Sequence, residues 1–342
     1  MAYDAFLLLS FGGPEHPDDV LPFLRNVSRG RGIPDERLAA VAEHYYHFDG
    51  VSPINQQCRD LLAAVGADFA AHGIGLPAYW GNRNWQPMLA DTVAQMRDDG
   101  VTTALGFATS AYGGYSSCMQ YWEDIAQARA TVGPGAPMIA KLRQFHDHPG
   151  FVGPHADAVR AALAGLDPAR RASTRVVFTA HSIPVSMENT AGPTGGRYTA
   201  QLHETATLVH AAAAADLPWD LVWQSRSGPP QVPWLEPDIN DHLKTLAEKG
   251  VTDVVVSPIG FVSDHLEVLW DLDNEARETA AELGLGYARA GTPGTDPRFV
   301  AMIRELVRER TDGVPRERLG TLPLWDVCPE NCCPPPRRRG AP

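Results

Sequence analysis

Eight short runs of apolar and β-branched residues, separated by stretches with helical periodicity, decide what this chain can fold into. Tyr3 to Ser10, Leu76 to Trp80, Thr102 to Thr109 and Met138 to Leu142 read as strands, with helices over 18–30, 55–72, 87–99 and 119–131. The order then recurs. A helix at 151–165 leads to a strand from Thr174 that ends at His181, and a helix at 196–214 leads to a strand from Leu217 to Ser225. A helix at 235–249, the strand Val251 to Val256, an acidic helix and the strand Leu285 to Ala290 complete the set. Such runs suit a covered, pleated surface, and two parallel neighbours need a crossover long enough to hold a helix. The alternation therefore predicts parallel sheets. No residue-level repeat accompanies it, so only the order of elements repeats. The expected fold class is α/β: two Rossmann-like lobes, each a four-stranded parallel sheet flanked by helices, with a cleft between their strand ends. The lobes are expected over 1–150 and 151–312, with a tail at 313–342.

Ser257 to Glu275 carries the densest chemistry. Pro258 and Gly260 stop the Val251 strand, and Ser263 and Asp264 supply side-chain oxygens suited to a helix start. Glu267, Asp271 and Glu275 follow at four-residue intervals, drifting only about 40° per step on a helix, so they share one face. Carboxylates so placed repel one another unless a cation lies among them. A solvated acidic face is the plain alternative. The row lies just beyond a strand's carboxyl end, where open α/β sheets bind ligands.

The charge of −12 argues against nucleic acid or an anionic membrane surface as the main partner. The Ala5–Leu9 run is too short for a signal or a spanning helix, and no other run approaches eighteen apolar residues, so a cytoplasmic protein is expected. Five cysteines, with Cys328, Cys332 and Cys333 clustered, suit metal ligation better than a secreted disulfide framework. Cys58 falls in an apolar helix pattern and reads as core.

Other landmarks are less specific. Phe11-Gly-Gly-Pro-Glu15 reads as a tight turn, and residues 29–34 form a basic loop in which arginine could clamp a carboxylate or phosphate or simply face solvent. Residues 44–54 read as an aromatic and hydroxyl-bearing loop able to line a flat ligand or close a core. His181, at a strand's carboxyl end, should project into the cleft; a neutral imidazole there can ligate a divalent metal or accept a proton. Paired with Glu267 it makes a mixed nitrogen and oxygen site suited to Fe2+, Co2+ or Zn2+.

The stretches FTAHSIP (178–184) and GFVSDHLEVLWDLDNE (260–275) resemble the two signature stretches of ferrochelatases. LLLSFGGPE (7–15), RGRGIP (29–34) and GVSPI (50–54) match further landmarks of that family in order, so the resemblance covers nearly the whole chain. It implies that Fe2+, as substrate, is inserted into a porphyrin held in the cleft between the lobes. Carried over by position, His181 and Glu267 form the inner pair that handles metal and protons. Asp271 and Glu275 form an outer cation site, filled by Mg2+ or another cation. Arg29, Arg31, Tyr46, Ser52 and Tyr115 map around the porphyrin, with chemistry suited to propionates. Phe11, also a substrate-side position, stands where many Gram-positive relatives carry Tyr, and its ring cannot ligate a metal.

Cys118, Cys328, Cys332 and Cys333 resemble the [2Fe–2S] ligand set of some ferrochelatases, which would tie the tail to the first lobe. Tetrahedral zinc or unliganded thiols are the alternatives. The C-terminal cysteines, the Ala- and Arg-rich composition and the lack of an apolar membrane lip resemble the actinobacterial coproporphyrin III group. Four propionates would give the arginines more to bind than the two of protoporphyrin IX. Competing readings are a protoporphyrin IX enzyme, a cobalt or nickel tetrapyrrole chelatase, and a non-catalytic haem or iron–sulfur sensor. The resemblance further suggests a monomer with no membrane insertion and a transient contact with the next haem-pathway enzyme.

Overall fold

The computed structural model describes residues 3–30, 32–228 and 231–335. Its first sheet contains β1 (Ala5–Ser10), β2 (Ala78–Asn82), β3 (Thr103–Ala108) and β4 (Met138–Lys141). Its second contains β5 (Thr174–His181), β6 (Trp219–Gln224), β7 (Asp253–Ser257) and β8 (Gly286–Arg289). Strand orders are β2-β1-β3-β4 and β6-β5-β7-β8, and every pairing is parallel. The two halves repeat one topology although their residues do not repeat.

Burial follows position in the sheet. The central strands β1 and β7 are buried at every residue, and the edge strand β8 at none. Both faces of a central strand are covered by helices, which is why these segments read as continuous apolar runs. Each order reverses direction between its two central strands, so the crevices open at the carboxyl ends of β1 and β3 and of β5 and β7. The positions of His181 and Glu267 follow from this reversal.

The largest apolar core runs through both halves. The helix Pro297–Thr311 places Phe299 against Phe107, Phe145 and Phe151, with ring centroids 6.2, 6.0 and 6.3 Å away. Buried Arg143 donates to both oxygens of Glu309 at 2.7 Å, fixing that helix to the turn after β4. Charge-assisted, two-pronged bonds of this kind also set orientation.

Two features depart from the expected pattern. Residues 44–54 do not form one loop, because the helix Asp35–Tyr46 carries His44, Tyr45 and Tyr46 in its last turn. Only Leu38, Ala42 and Tyr45 of this helix are buried, against Val20, Phe23 and Leu24 of the helix Val20–Val27. The acidic helix does not start at Ser263 or Asp264. It begins at Leu266, because Asp264 accepts two bonds from Arg289, at 3.1 and 3.0 Å, instead of capping. Among the described residues, no helix is long and apolar enough to cross a membrane.

Candidate active site

His181 is the last residue of β5, and its main chain is pinned from behind. The Tyr198 hydroxyl donates to the His181 carbonyl at 2.9 Å, and the Ser182 hydroxyl donates to Leu235 O at 2.8 Å. In front, the imidazole Nδ1 lies 2.5 Å from Ser182 O. A carbonyl can only accept, so Nδ1 carries the proton and Nε2 keeps a lone pair when the ring is neutral. That Nε2 lies 3.7 Å from Glu267 Oε2, with both side chains partly open to solvent. The pair is therefore poised to hold a cation or to take up protons.

Glu267 lies in the turn Leu266–Val268, which passes into a π-helical segment, Leu269–Glu275. The wider i→i+5 winding is rare and marks functional sites. Leu266 anchors the segment by entering the first half's Phe23–Leu38–Tyr45 cluster. Trp270 stacks on His44 at 4.0 Å with planes 8° apart, and Tyr112 donates to Ile259 O at 2.7 Å. Both contacts join the two halves.

Asp271 differs from its neighbours in the row. Its Oδ2 accepts from Ser225 Oγ and from Gln224 Nε2, the latter at 3.2 Å. Ser225 reaches it from a left-handed backbone, φ 61°, rare for a residue other than glycine and typical of functional sites. Burial first, then Glu267 and Glu275, push the Asp271 carboxyl up to about 7. Glu275 is exposed. The three carboxylates do not converge within 4.8 Å of one another among the described residues, so they form a spaced row, not a cage.

The raised Asp271 carboxyl has a testable sign. Its folded-state value lies above the ordinary one, so its contribution to stability is complete below the ordinary value and is lost as pH rises through about 7. Asp271→Asn should remove that loss in metal-free protein. Relative to wild type, its melting temperature is expected to rise between about pH 4 and 7 and to level off above that; a constant difference would contradict the raised carboxyl.

The substrate-side positions are scattered around this centre. Phe11 is 37% exposed just after β1 and meets Phe23 edge-on at 6.3 Å. Tyr46 is 39% exposed at the cleft end of its helix, and Arg29 is exposed. Ser52 is buried, and its amide donates to Pro14 O at 2.8 Å. A Cβ at Gly13 would sit 2.7 Å from that of Ser52, so this close approach requires glycine. Tyr115 donates to Glu123 at 2.8 Å, and burial together with that carboxylate pushes its phenol up to about 12. Arg31 lies outside the described residues.

The cysteines gather at a second place. Cys118, in the π turn Tyr115–Met119, and Cys328 and Cys332 of the tail lie near enough to shift one another's thiols, and Cys332 Sγ lies 3.6 Å from Cys333 Sγ. Lys141 Nζ approaches Cys118 Sγ at 3.4 Å, and Gly192 N donates to Cys333 Sγ at 3.0 Å. The Cys328 thiol is pushed down, first by Cys118 and Cys332 as donors and then by Lys141 and Arg197. Cys58 is buried in the core, and burial pushes its thiol up to about 11. Lys141 and Arg197 carry no signal in the sequence, because an isolated basic residue has no spacing pattern.

The ferrochelatase family model matches residues 3–311. A relative from Nocardia farcinica (strain IFM 10152), named coproporphyrin III ferrochelatase, is 59% identical over 350 residues, covering 100% of this chain and 99% of the relative. A relative of the same name from Mycolicibacterium vanbaalenii is 57% identical, covering 94% of each chain. Another from Streptomyces griseus is 53% identical, covering 97% of this chain and 93% of the relative. Among solved structures, the sirohydrochlorin chelatase of Bacillus subtilis subspecies spizizenii in complex with cobalt matches with a TM-score of 0.51 at 11% identity. It covers 91% of this chain and 97% of that one, a likeness of fold alone. With the motifs, the fold and these full-length matches in agreement, the chain belongs to the ferrochelatase family.

Proposed function

We propose that this chain is a coproporphyrin III ferrochelatase, inserting Fe2+ into coproporphyrin III with release of two protons. The observation that carries the reading is the His181 and Glu267 pair. An Nε2 lone pair faces a carboxylate at 3.7 Å, at the strand ends of a chelatase fold. Metal insertion exchanges one Fe2+ for two pyrrole protons, so the site must offer both metal ligands and proton acceptors on one side of the macrocycle. His181 Nε2 and Glu267 are those acceptors. Asp271, whose carboxyl is pushed up to about 7, exchanges protons near neutrality and passes them or a cation toward Glu275 and solvent.

The relatives' shared name supports coproporphyrin III as the porphyrin. Arg29 and, by the resemblance, Arg31 bind propionates, Tyr46 and Phe11 offer aromatic surface to the ring, and Ser52 and Tyr115 support the surrounding loops. Cys118, Cys328, Cys332 and Cys333 would hold a [2Fe–2S] cluster, which when bound ties the tail to the first half. The thiols form a chain, and no three of them lie mutually within 4.8 Å among the described residues. That extended arrangement suits two irons better than one tetrahedral zinc. Gly192 N–H and Lys141 supply hydrogen bonds to sulfur.

The test is anaerobic Fe2+ insertion into coproporphyrin III and protoporphyrin IX by the purified protein. Coproporphyrin III is expected to be metallated at least about tenfold faster, the scale of losing paired charge contacts. Equal rates would remove the substrate assignment, and metallation of neither would remove the reading itself.

A further inference from the structure

Away from the cleft, the turn after β4 carries His146 and Asp147, both fully buried, beside Glu204 of the helix Arg197–Ala213. Each offers one ligand atom, and these atoms lie within 4.8 Å of one another. His146 Nε2 is 3.0 Å from Glu204 Oε2, a separation that neighbouring ligands of one metal also show. The other Glu204 oxygen accepts from the amides of Thr321 and Leu322 at 2.7 and 3.2 Å and from the Thr321 hydroxyl at 3.2 Å.

Asp147 is the anomaly. Its side chain is 0% exposed, yet neither carboxylate oxygen has a hydrogen-bond partner, and His146 Nδ1 is buried and unpartnered beside it. The ion-pair partner of Asp147 is Arg318, whose Nη2 lies 3.1 Å from Oδ2 and also donates to Leu322 O at 2.7 Å. A buried carboxylate is costly unless both of its oxygens are paired, and Arg318 meets only Oδ2. Gly320 closes the place from above. A Cβ there would fall 2.3 Å from Glu204 Oε2 and 2.8 Å from Asp147 Cβ.

We propose that His146, Asp147 and Glu204 form a second divalent-metal site, separate from the insertion centre, that fastens residues 316–326 across the junction of the two halves. One imidazole and two carboxylates without thiolate suit Mn2+, Fe2+ or Zn2+. The ion takes over from Arg318 as the counter-charge of Asp147, and Arg318, itself 29% exposed, swings toward solvent when it binds.

The experiment titrates Mn2+ into the purified full chain, freed of loosely held metal, and follows the electron paramagnetic resonance signal of the free ion. Mn2+ prefers oxygen and nitrogen ligands, so the cysteines stay silent. One bound equivalent is expected that Glu267→Gln retains and Asp147→Asn weakens by more than about 100-fold, beyond the loss of a merely supporting group. Should Asp147→Asn not fold, Glu204→Gln is read in its place. Arg318→Ala removes the competing cation and is expected to tighten binding about tenfold. Unchanged uptake by Asp147→Asn, loss of the equivalent in Glu267→Gln, or no tightening in Arg318→Ala would each overturn the site and leave an ion-pair network.

Discussion

His181→Ala is expected to lower Fe2+ insertion into coproporphyrin III by about 10^3-fold, with porphyrin affinity and melting temperature little changed. The magnitude follows from removing a positioned proton acceptor, worth about 10^2–10^4-fold, that is also a metal ligand. Little stability should be lost, because the ring is partly solvent-exposed and makes one side-chain hydrogen bond, to Ser182 O. The strand end is held without it, by Tyr198 on the main-chain carbonyl and Ser182 on Leu235. Glu267→Gln should cost less, since an amide oxygen still ligates weakly while Nε2 remains. Single-turnover rates beside porphyrin binding measured by fluorescence separate the two effects. Loss of binding without loss of the chemical step would move His181 from the reacting centre to the binding surface.

Cys118→Ser is expected to yield a protein without iron–sulfur absorption and with a melting temperature about 10 °C lower. A metal group present only in the folded state contributes its binding energy to folding. A few kcal/mol translate into shifts of this size for a chain of this class. Cys118 is buried on the first half and its partners lie in the tail, so the tail loses its anchor with the first ligand removed. Cys328→Ser, Cys332→Ser and Cys333→Ser should give the same spectrum, whereas Cys58→Ser should keep it. Iron and acid-labile sulfide analysis decides between this and zinc. A colourless wild-type protein with one zinc would replace the cluster assignment while leaving the anchoring role intact.

Much of the architecture was legible in the residues. The eight strands were recognisable because a parallel strand buried on both faces must be almost wholly apolar, as β1 and β7 are, and the helices between them kept an amphipathic period. The helix Asp35–Tyr46 escaped because its buried stripe is only Leu38, Ala42 and Tyr45 among polar neighbours, and its last turn is crowded with aromatics that also suit a loop. Ser263 and Asp264 had the right chemistry for a helix start, but Asp264 is taken by Arg289 from β8, a partner that local reading cannot see.

What the chain determined by itself is the alternation of strand and helix, the acidic row after β7, the histidine at the end of β5 and the clustering of cysteines near its end. Each is a matter of residue type and short-range period, which elementary burial and periodicity dictate. Only the tertiary structure decided that β5 and β7 are neighbours although β6 lies between them in sequence, and this brings His181 Nε2 to 3.7 Å from Glu267. It also wound the acidic segment as a π-helix, with Leu266 seated in the first half's core, and set the half-buried Asp271 against Ser225 and Gln224. It placed Asp147 in the interior beside His146 and Glu204, with Oδ1 left without a partner. These outcomes depend on which surfaces cover one another after the chain has turned back on itself, and contacts of that range leave no period in the sequence.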